Sequence, residues 1–408
     1  MKIRVQQGAV VILMVWMIGC GSAEPESRSE VWDSAGIQIS FSDLSTGDPA
    51  PSCEIGDLPS LRIGASHSQG GDLLFKVEDV LGYPDGSVAV LNRGTQEVRV
   101  FAEDGEFRFS VGGDGEGPGE FRDPIQFGLL YPDSLIVWDW GLLRLSVFDS
   151  NGSFVRSTPL SPSVLNPTGE FEVYGCPPGI LIADHDFRTF EGSEFAPQYM
   201  NLLRYSLEGG LTDTVGILPY GSMGWVNQET RQGGRRLFES LGTFAVAGDM
   251  LFLSEGSRPE VEVRREDGNL IRIIRWLPPD RVVRTTDLEA YQAQRLAGVE
   301  GGMRQAIRRS FEVVPVSDSF PAVRGLRVDP DGGLWVRTYR PPTSDLEEWW
   351  AFDPGGRFHC QLSLPAGLTV FEIGRDYLLG KTENELGVEF VEKHRLSLKK
   401  LPGVSNGG

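Results

Sequence analysis

Positive charge is in short supply: 38 Lys and Arg stand against 57 Asp and Glu, leaving a net charge of -19 over 408 residues. Such a surface repels phosphate backbones, which excludes nucleic acid as a partner class. Cysteine is scarce, four in all, and no pair has zinc-finger spacing. The apolar run near the N-terminus is too short for a comfortable transmembrane span. Serine hydrolase chemistry lacks its elbow, because Tyr220-Gly221-Ser222-Met223-Gly224 misses the Gly-x-Ser-x-Gly spacing. The glycine-rich run Gly112 to Gly119 lacks a following Lys-Ser/Thr and carries Glu116, with Glu120 beside it, so it reads as a chain crossing and not a phosphate cradle. His67, His359 and His394 are isolated in sequence, and a structural or surface role is the default for each.

What is abundant is turn chemistry. With 51 Gly, 26 Pro and many short Val/Ile/Leu/Phe runs, the composition favours an all-β protein. The clearest unit is Asp104 to Phe121, a tight Asp-Gly turn, an alternating strand (Phe107, Phe109, Val111) and a Gly/Pro-rich exit. A second copy places Asn151-Gly152 where the first has Asp104-Gly105, and Gly105 and Gly152 lie 47 residues apart. Four short antiparallel strands in ~40–50 residues is the size of one propeller blade. Weaker copies centre on Ile180–Ala183, Met250–Leu253 and Leu334–Val336, and a last one on Tyr377–Leu379 has no clear fourth strand. A ring must hide the edges of its terminal sheets, so the spare strand Leu61-Arg62-Ile63 is expected to complete the last unit. The count is six blades. The 88 residues between Gly268 and Gly356 exceed one blade. Thr286 or Asp287 as N-cap, early acids and late arginines predict one or two inserted helices over about 280–315, interrupted near Gly301-Gly302.

Val98 to Gly105, Gly112 to Phe121, Leu145 to Gly152 and Phe320 to Val336 are the stretches in which the chain resembles the six-bladed, NHL-like β-propeller proteins of bacteria, many of them lipoproteins. The resemblance covers roughly residues 58–400 and implies the fold, a six-bladed all-β propeller with an N-terminal strand closing the last blade; propellers host many activities, so it implies little about function.

At the N-terminus, Lys2 and Arg4 precede an apolar stretch from Ala9, and Met17-Ile18-Gly19-Cys20 resembles the bacterial lipobox. The expected organisation is a lipoprotein signal over 1–19, a lipidated Cys20, a tether and N-terminal segment over 20–57, the propeller over 58–400 and a tail over 401–408. A cell-envelope location follows, with the membrane reached through acyl chains. Of the cysteines that remain, Cys53 and Cys360 are the expected disulfide, both lying near the point where the ring would close, and Cys176 is left over.

Two function classes remain. Asn92, Asp139 and Asp184 fall at comparable places after the second strand of units one to three, and His185 adjoins the last. Converging at the channel mouth they would hold a divalent cation such as calcium, the basis of a metal-dependent hydrolase or lyase; solvated turn-capping acids are the plainer account. The other class, taken here as the expectation, is a monomeric binding module for an envelope protein, peptide or glycan, since rigid blades present variable loops around one channel. The cationic groups Arg231, Arg235, Arg236 and Arg304, Arg308, Arg309 are candidates for an anionic ligand on this acidic chain, or for surface pairing with acids. Trp138, Trp140, Trp335, Trp349 and Trp350 read as core and inter-blade packing.

Overall fold

The structure, a computed structural model, describes residues 29–45, 51–64, 73–130, 134–160, 167–174, 179–186, 194–227, 229–230 and 232–399. The signal-like segment, Cys20, His67, Cys176, Arg231 and the tail 401–408 lie outside the described residues. Four strands precede the repeats: β1 (Ser29–Ser34), β2 (Ile37–Asp43), β3 (Ser52–Ile55) and β4 (Leu61–Ile63). Blade one is β5 (Val77–Gly82), β6 (Val88–Asn92), β7 (Glu97–Phe101) and β8 (Phe107–Gly112). Blade two is β9 (Pro124–Leu130), β10 (Ser134–Asp139), β11 (Arg144–Phe148) and β12 (Phe154–Pro159). Blade three is β13 (Pro167–Tyr174), β14 (Gly179–Asp186), β15 (Ala196–Tyr205), β16 (Leu211–Asn227) and an extra β17 (Gln232–Arg235). Blade four is β18 (Thr243–Ala247), β19 (Met250–Ser254), β20 (Glu260–Arg265) and β21 (Leu270–Leu277). Helices α1 (Thr285–Leu296) and α2 (Gly301–Val313) follow. Blade five is then β22 (Gly325–Val328), β23 (Leu334–Arg337), β24 (Leu346–Phe352) and β25 (Phe358–Pro365), and blade six is β26 (Thr369–Ile373), β27 (Tyr377–Glu383) and β28 (Glu389–Leu398).

The second strand of a blade is covered by a neighbouring blade on each side, which is why Val88–Leu91 and Leu135–Trp138 are unbroken apolar runs, buried throughout, where a half-exposed strand would alternate. Between blades one and two, Ala89, Leu91 and Val98 pack on Phe127, Leu135 and Val137. Corresponding clusters fill the junctions two–three, three–four, four–five and five–six. The sixth joins Leu379 and Val391 of blade six to Val77, Val88 and Phe101 of blade one. Six junctions between six blades make a closed ring. The chain is a six-bladed β-propeller.

The closing strand is β4, paired antiparallel to β28 with Leu61, Arg62 and Ile63 opposite Lys393, Glu392 and Val391. Strands β1, β2 and β3, which fall in the segment 20–57 expected to precede the propeller, are built into the ring. β2 runs parallel to β21 and extends blade four outward, while β3 lies between β25 and β28 and so bridges blades five and six. Nothing local in the sequence announces these partners, which lie hundreds of residues downstream. The helices stand where expected, with one correction: Arg284 is the N-cap and Asp287 sits at the third helical position. Its carboxylate accepts the Arg284 backbone N–H at 2.9 Å and the Thr343 hydroxyl at 2.9 Å, so it joins α1 to blade five.

Polar bonds reinforce the closing junction. Glu389 accepts the Val77 N–H at 2.7 Å, and Glu372 accepts the Gly82 N–H at 2.7 Å together with the Tyr377 hydroxyl. Burial pushes the Glu372 carboxyl above its ordinary 4.5, against the pull of those hydrogen bonds and of Lys393. A carboxyl with a raised folded pKa gives stability that is present below its unfolded pKa and is lost as pH rises through the folded one. Wild type is therefore expected to lose stability above pH 4.5 relative to Glu372→Gln, by about 1.4 kcal/mol for each tenfold gain in proton affinity. Urea unfolding of both proteins from pH 4 to 8 measures it, and parallel profiles would refute it.

Candidate functional site

In every blade the loop between the second and third strands and the crossing to the next blade leave the same end of the sheet, so the ring has one face rich in long connections. Gly112 to Gly119 is such a crossing. Gly112 has φ +102°, and a Cβ there would sit 2.4 Å from the Phe121 ring. The Arg144 guanidinium ties the crossing down by donating to the carbonyls of Glu116, Gly117 and Glu120.

Asn92, Asp139 and Asp184 are all buried at this end of β6, β10 and β14. Asn92 accepts the Phe75 N–H at 2.6 Å and donates to Thr95 Oγ1 at 2.8 Å. Asp139 accepts three backbone N–H groups, from Arg122, Asp123 and Leu142, at 2.9, 3.0 and 3.2 Å. These two residues cap loops of their own blades, and a cation would have to displace the backbone donors. Asp184 lies beside Tyr205, whose phenol is pushed up by burial and by that carboxylate. His185 follows it in β14.

Cys53 on β3 and Cys360 on β25 are joined by a disulfide, with Cα atoms 5.6 Å apart. Together with His359 they form the one group of three metal-type ligand atoms within 4.8 Å among the described residues; two of the three are sulfurs bonded to each other, which makes the group a covalent crosslink. Trp138, Trp335, Trp349 and Trp350 are buried in the inter-blade cores.

The feature that stands out on the connection-rich face is a cleft between blades three, four and five. It arises because β16 runs past the end of its blade and turns back through β17, while α1 and α2 lie alongside. Aromatic rings hold this superstructure together. Phe238, on the crossing from blade three to four, meets Tyr291 of α1 at 5.4 Å and Phe320 at 5.2 Å, both edge-on, and Phe320 stacks on Tyr339 of blade five at 5.0 Å and 13°. Phe238 has φ +57°, a left-handed conformation that costs a bulky residue about 1–3 kcal/mol and persists where packing over-determines it.

Two adjoining cavities open here. One, of about 150 Å³, is lined by Arg235, Arg236, Glu239, Arg324 and Tyr339; the other, of about 490 Å³, shares Gly221, Arg236, Phe238 and Glu239 with it and is otherwise rich in serine. Arg235 donates to the Tyr220 carbonyl at 2.9 Å and lies over the Tyr220 ring at 4.1 Å. Glu239, the one acid on the smaller cavity, accepts the backbone N–H of Ser222 and, at 2.7 Å, its hydroxyl. The guanidinium groups of Arg236 and Arg324 are exposed and have no hydrogen-bond or ion-pair partner among the described residues. Behind them Arg337 has its pKa lowered by burial, offset by Glu347 and reinforced by Arg324 and Arg327. The local field is positive on an acidic protein.

Of the arginines noted in the sequence, Arg235 and Arg236 reach this cleft. Arg304 instead donates to the Leu296 and Val299 carbonyls at the end of α1, and Arg308 and Arg309 are exposed on α2. Arg324, Tyr339, Phe238 and Glu239 carried no local signal, since three blades bring them together.

A family model described as a 6-bladed beta-propeller matches residues 72–166. No curated protein matches the chain. Among solved structures, one from Bacteroides fragilis named "Putative exported protein" superposes with a TM-score of 0.51 at 13% identity, covering 89% of this chain and 100% of that one. A member of the duf4221 family from Bacteroides vulgatus gives a TM-score of 0.50 at 10% identity, covering 86% and 100%. At these identities the likeness is one of fold.

Proposed function

We propose that this chain is a lipid-anchored, extracytoplasmic propeller of the NHL-like bacterial type whose connection-rich face binds an envelope partner or ligand. The observation that carries the binding reading is the pair of unpartnered guanidinium groups, Arg236 and Arg324, on one small cavity. Two exposed guanidinium groups on one cavity leave their donors free for an anionic ligand, and a convergent polar set in a concave site is the usual mark of ligand recognition. The rival, a metal-dependent hydrolase or lyase, needs a shared donor set at the channel, and Asn92 and Asp139 already serve backbone groups. Dialysis against a weak chelator followed by elemental analysis, on the domain from residue 21 onward, separates the two. A stoichiometric divalent ion lost in Asp139→Ala and Asp184→Ala variants would overturn the binding reading. Metal-free protein whose melting temperature rises with anionic ligands, and no longer does in Arg236→Ala/Arg324→Ala, would support it.

The export reading rests on the lipobox-like Met17 to Cys20 and on the designation of the Bacteroides fragilis neighbour. Among the described residues no helix is long and apolar enough to cross a membrane. Cys20→Ala is expected to abolish labelling by a radiolabelled or clickable fatty acid and to move the protein from the membrane to the soluble fraction. Retained label would refute the anchor.

A further inference from the structure

We infer that the cleft between blades three, four and five takes an acidic saccharide, with Arg236 and Arg324 holding the sugar carboxylate and the serine hydroxyls of the larger cavity meeting its ring hydroxyls. This rests on the binding reading above and names the ligand class.

Three observations select that class. First, the smaller cavity is built for one anionic group. Arg235 is committed to Tyr220 and Glu239 to Ser222, so the only uncommitted charges on the wall are the two guanidinium forks, and a fork matches a carboxylate two bonds at a time. Second, the adjoining 490 Å³ cavity is hydroxyl-rich: Ser240, Ser257, Ser317 and Ser319 line it, and none of their side-chain oxygens has a partner among the described residues. Each hydroxyl is both donor and acceptor, as a sugar hydroxyl is, and Glu255 on the same wall is a further acceptor. The flat Tyr339 ring, backed by Phe320, gives an apolar wall beside the arginines.

Third, part of the backbone in and beside the walls is already used. The Arg236 N–H bonds the Ser222 carbonyl, the Ser317 N–H bonds the Leu237 carbonyl, and the Phe320 N–H bonds the Arg281 carbonyl. An extended peptide binds largely through free backbone groups at a sheet edge, whereas the groups that mark this cleft are side-chain hydroxyls and cations.

The test is titration calorimetry, with saturation-transfer NMR for weak ligands, on the domain from residue 21 onward. The probes are methyl glucuronide, methyl galacturonide, a glucuronosyl disaccharide, the neutral methyl glucoside and methyl galactoside, and an acetylated trialanine with a free carboxylate. At least one uronide is expected to bind tenfold or more tightly than its neutral counterpart, and the disaccharide more tightly than the monosaccharide. Arg236→Gln and Arg324→Gln, both at exposed positions, are each expected to lose at least tenfold with an unchanged unfolding midpoint. Ser319→Leu, in the larger cavity, should weaken the disaccharide more than the methyl uronide. Arginine-dependent binding of the tripeptide without the uronides would overturn the saccharide assignment and leave the binding reading standing. Failure of every probe to show a dependence on Arg236 or Arg324 would overturn both.

Discussion

Deleting Leu61–Gly64 is expected to open the ring and make the propeller domain aggregate. β4 is only three residues long, yet Leu61 and Ile63 are 8% and 2% exposed within the core that joins blade six to blade one. Burying two such side chains is worth about 3–6 kcal/mol, a large share of the 5–15 kcal/mol by which typical domains are stable. Arg62 adds an ion pair with Glu392 at 3.4 Å and sits 3.9 Å over the Phe390 ring. Without β4, the edge of β28 presents unpaired backbone groups, a template for other chains. The point variant Ile63→Asp buries a carboxylate among Val88, Val90 and Phe101 and should cost more than 4 kcal/mol, whereas Ile63→Val should cost about 1 kcal/mol. Size-exclusion chromatography and urea unfolding read the series. A deletion that elutes and unfolds as wild type does would show that closure resides elsewhere.

Replacing Cys53 and Cys360 together by serine is expected to lower stability by about 3 kcal/mol. The crosslink spans a sequence separation of 307, and the entropy of closing so long a loop in the unfolded chain puts the ceiling at roughly 6 kcal/mol, with typical values of about 2–4. For a chain of this length that shift corresponds to about 4 °C in the melting temperature. The local effect should be larger than the global one, because β3 is held by two residue pairs to β25 and three to β28. Hydrogen exchange is therefore expected to speed up first at Ser52–Ile55 and then along the outer edge of β25. Equal melting temperatures for wild type under oxidising and reducing conditions would refute the prediction.

The ring was legible in the sequence because its signals are local. Asp-Gly and Asn-Gly turns, fully apolar second strands and a missing last strand are properties of neighbouring residues, and they located all six blades, the helix pair and β4. The N-terminal strands β2 and β3 were not legible as parts of the ring, since their ring partners lie far along the chain and two of those pairings are parallel, with no turn to announce them. β16 was hidden for a different reason. Gly216, Gly221 and Gly224 punctuate it as loops do, and the strand absorbs the irregularity as register shifts against β15. The cleft inherits both difficulties: Arg235 and Arg236 are visible as a charged pair, but Arg324 and Tyr339 arrive from blade five.

The placement of β2, β3 and β4 in the sheets of blades four to six has a consequence in time. β3 and β4 complete sheets whose other strands are the last to be made, and β2 waits for β21 of blade four, so these strands lack their ring partners until most or almost all of the sequence exists. Contacts such as Ser60 with Lys393 and Val77 with Glu389 close sequence separations of 333 and 312. Each must meet the entropy of closing a long loop before it returns any stability, which makes folding slow. The ring cannot be finished from either end alone, and the chain remains open for as long as its last blade is missing.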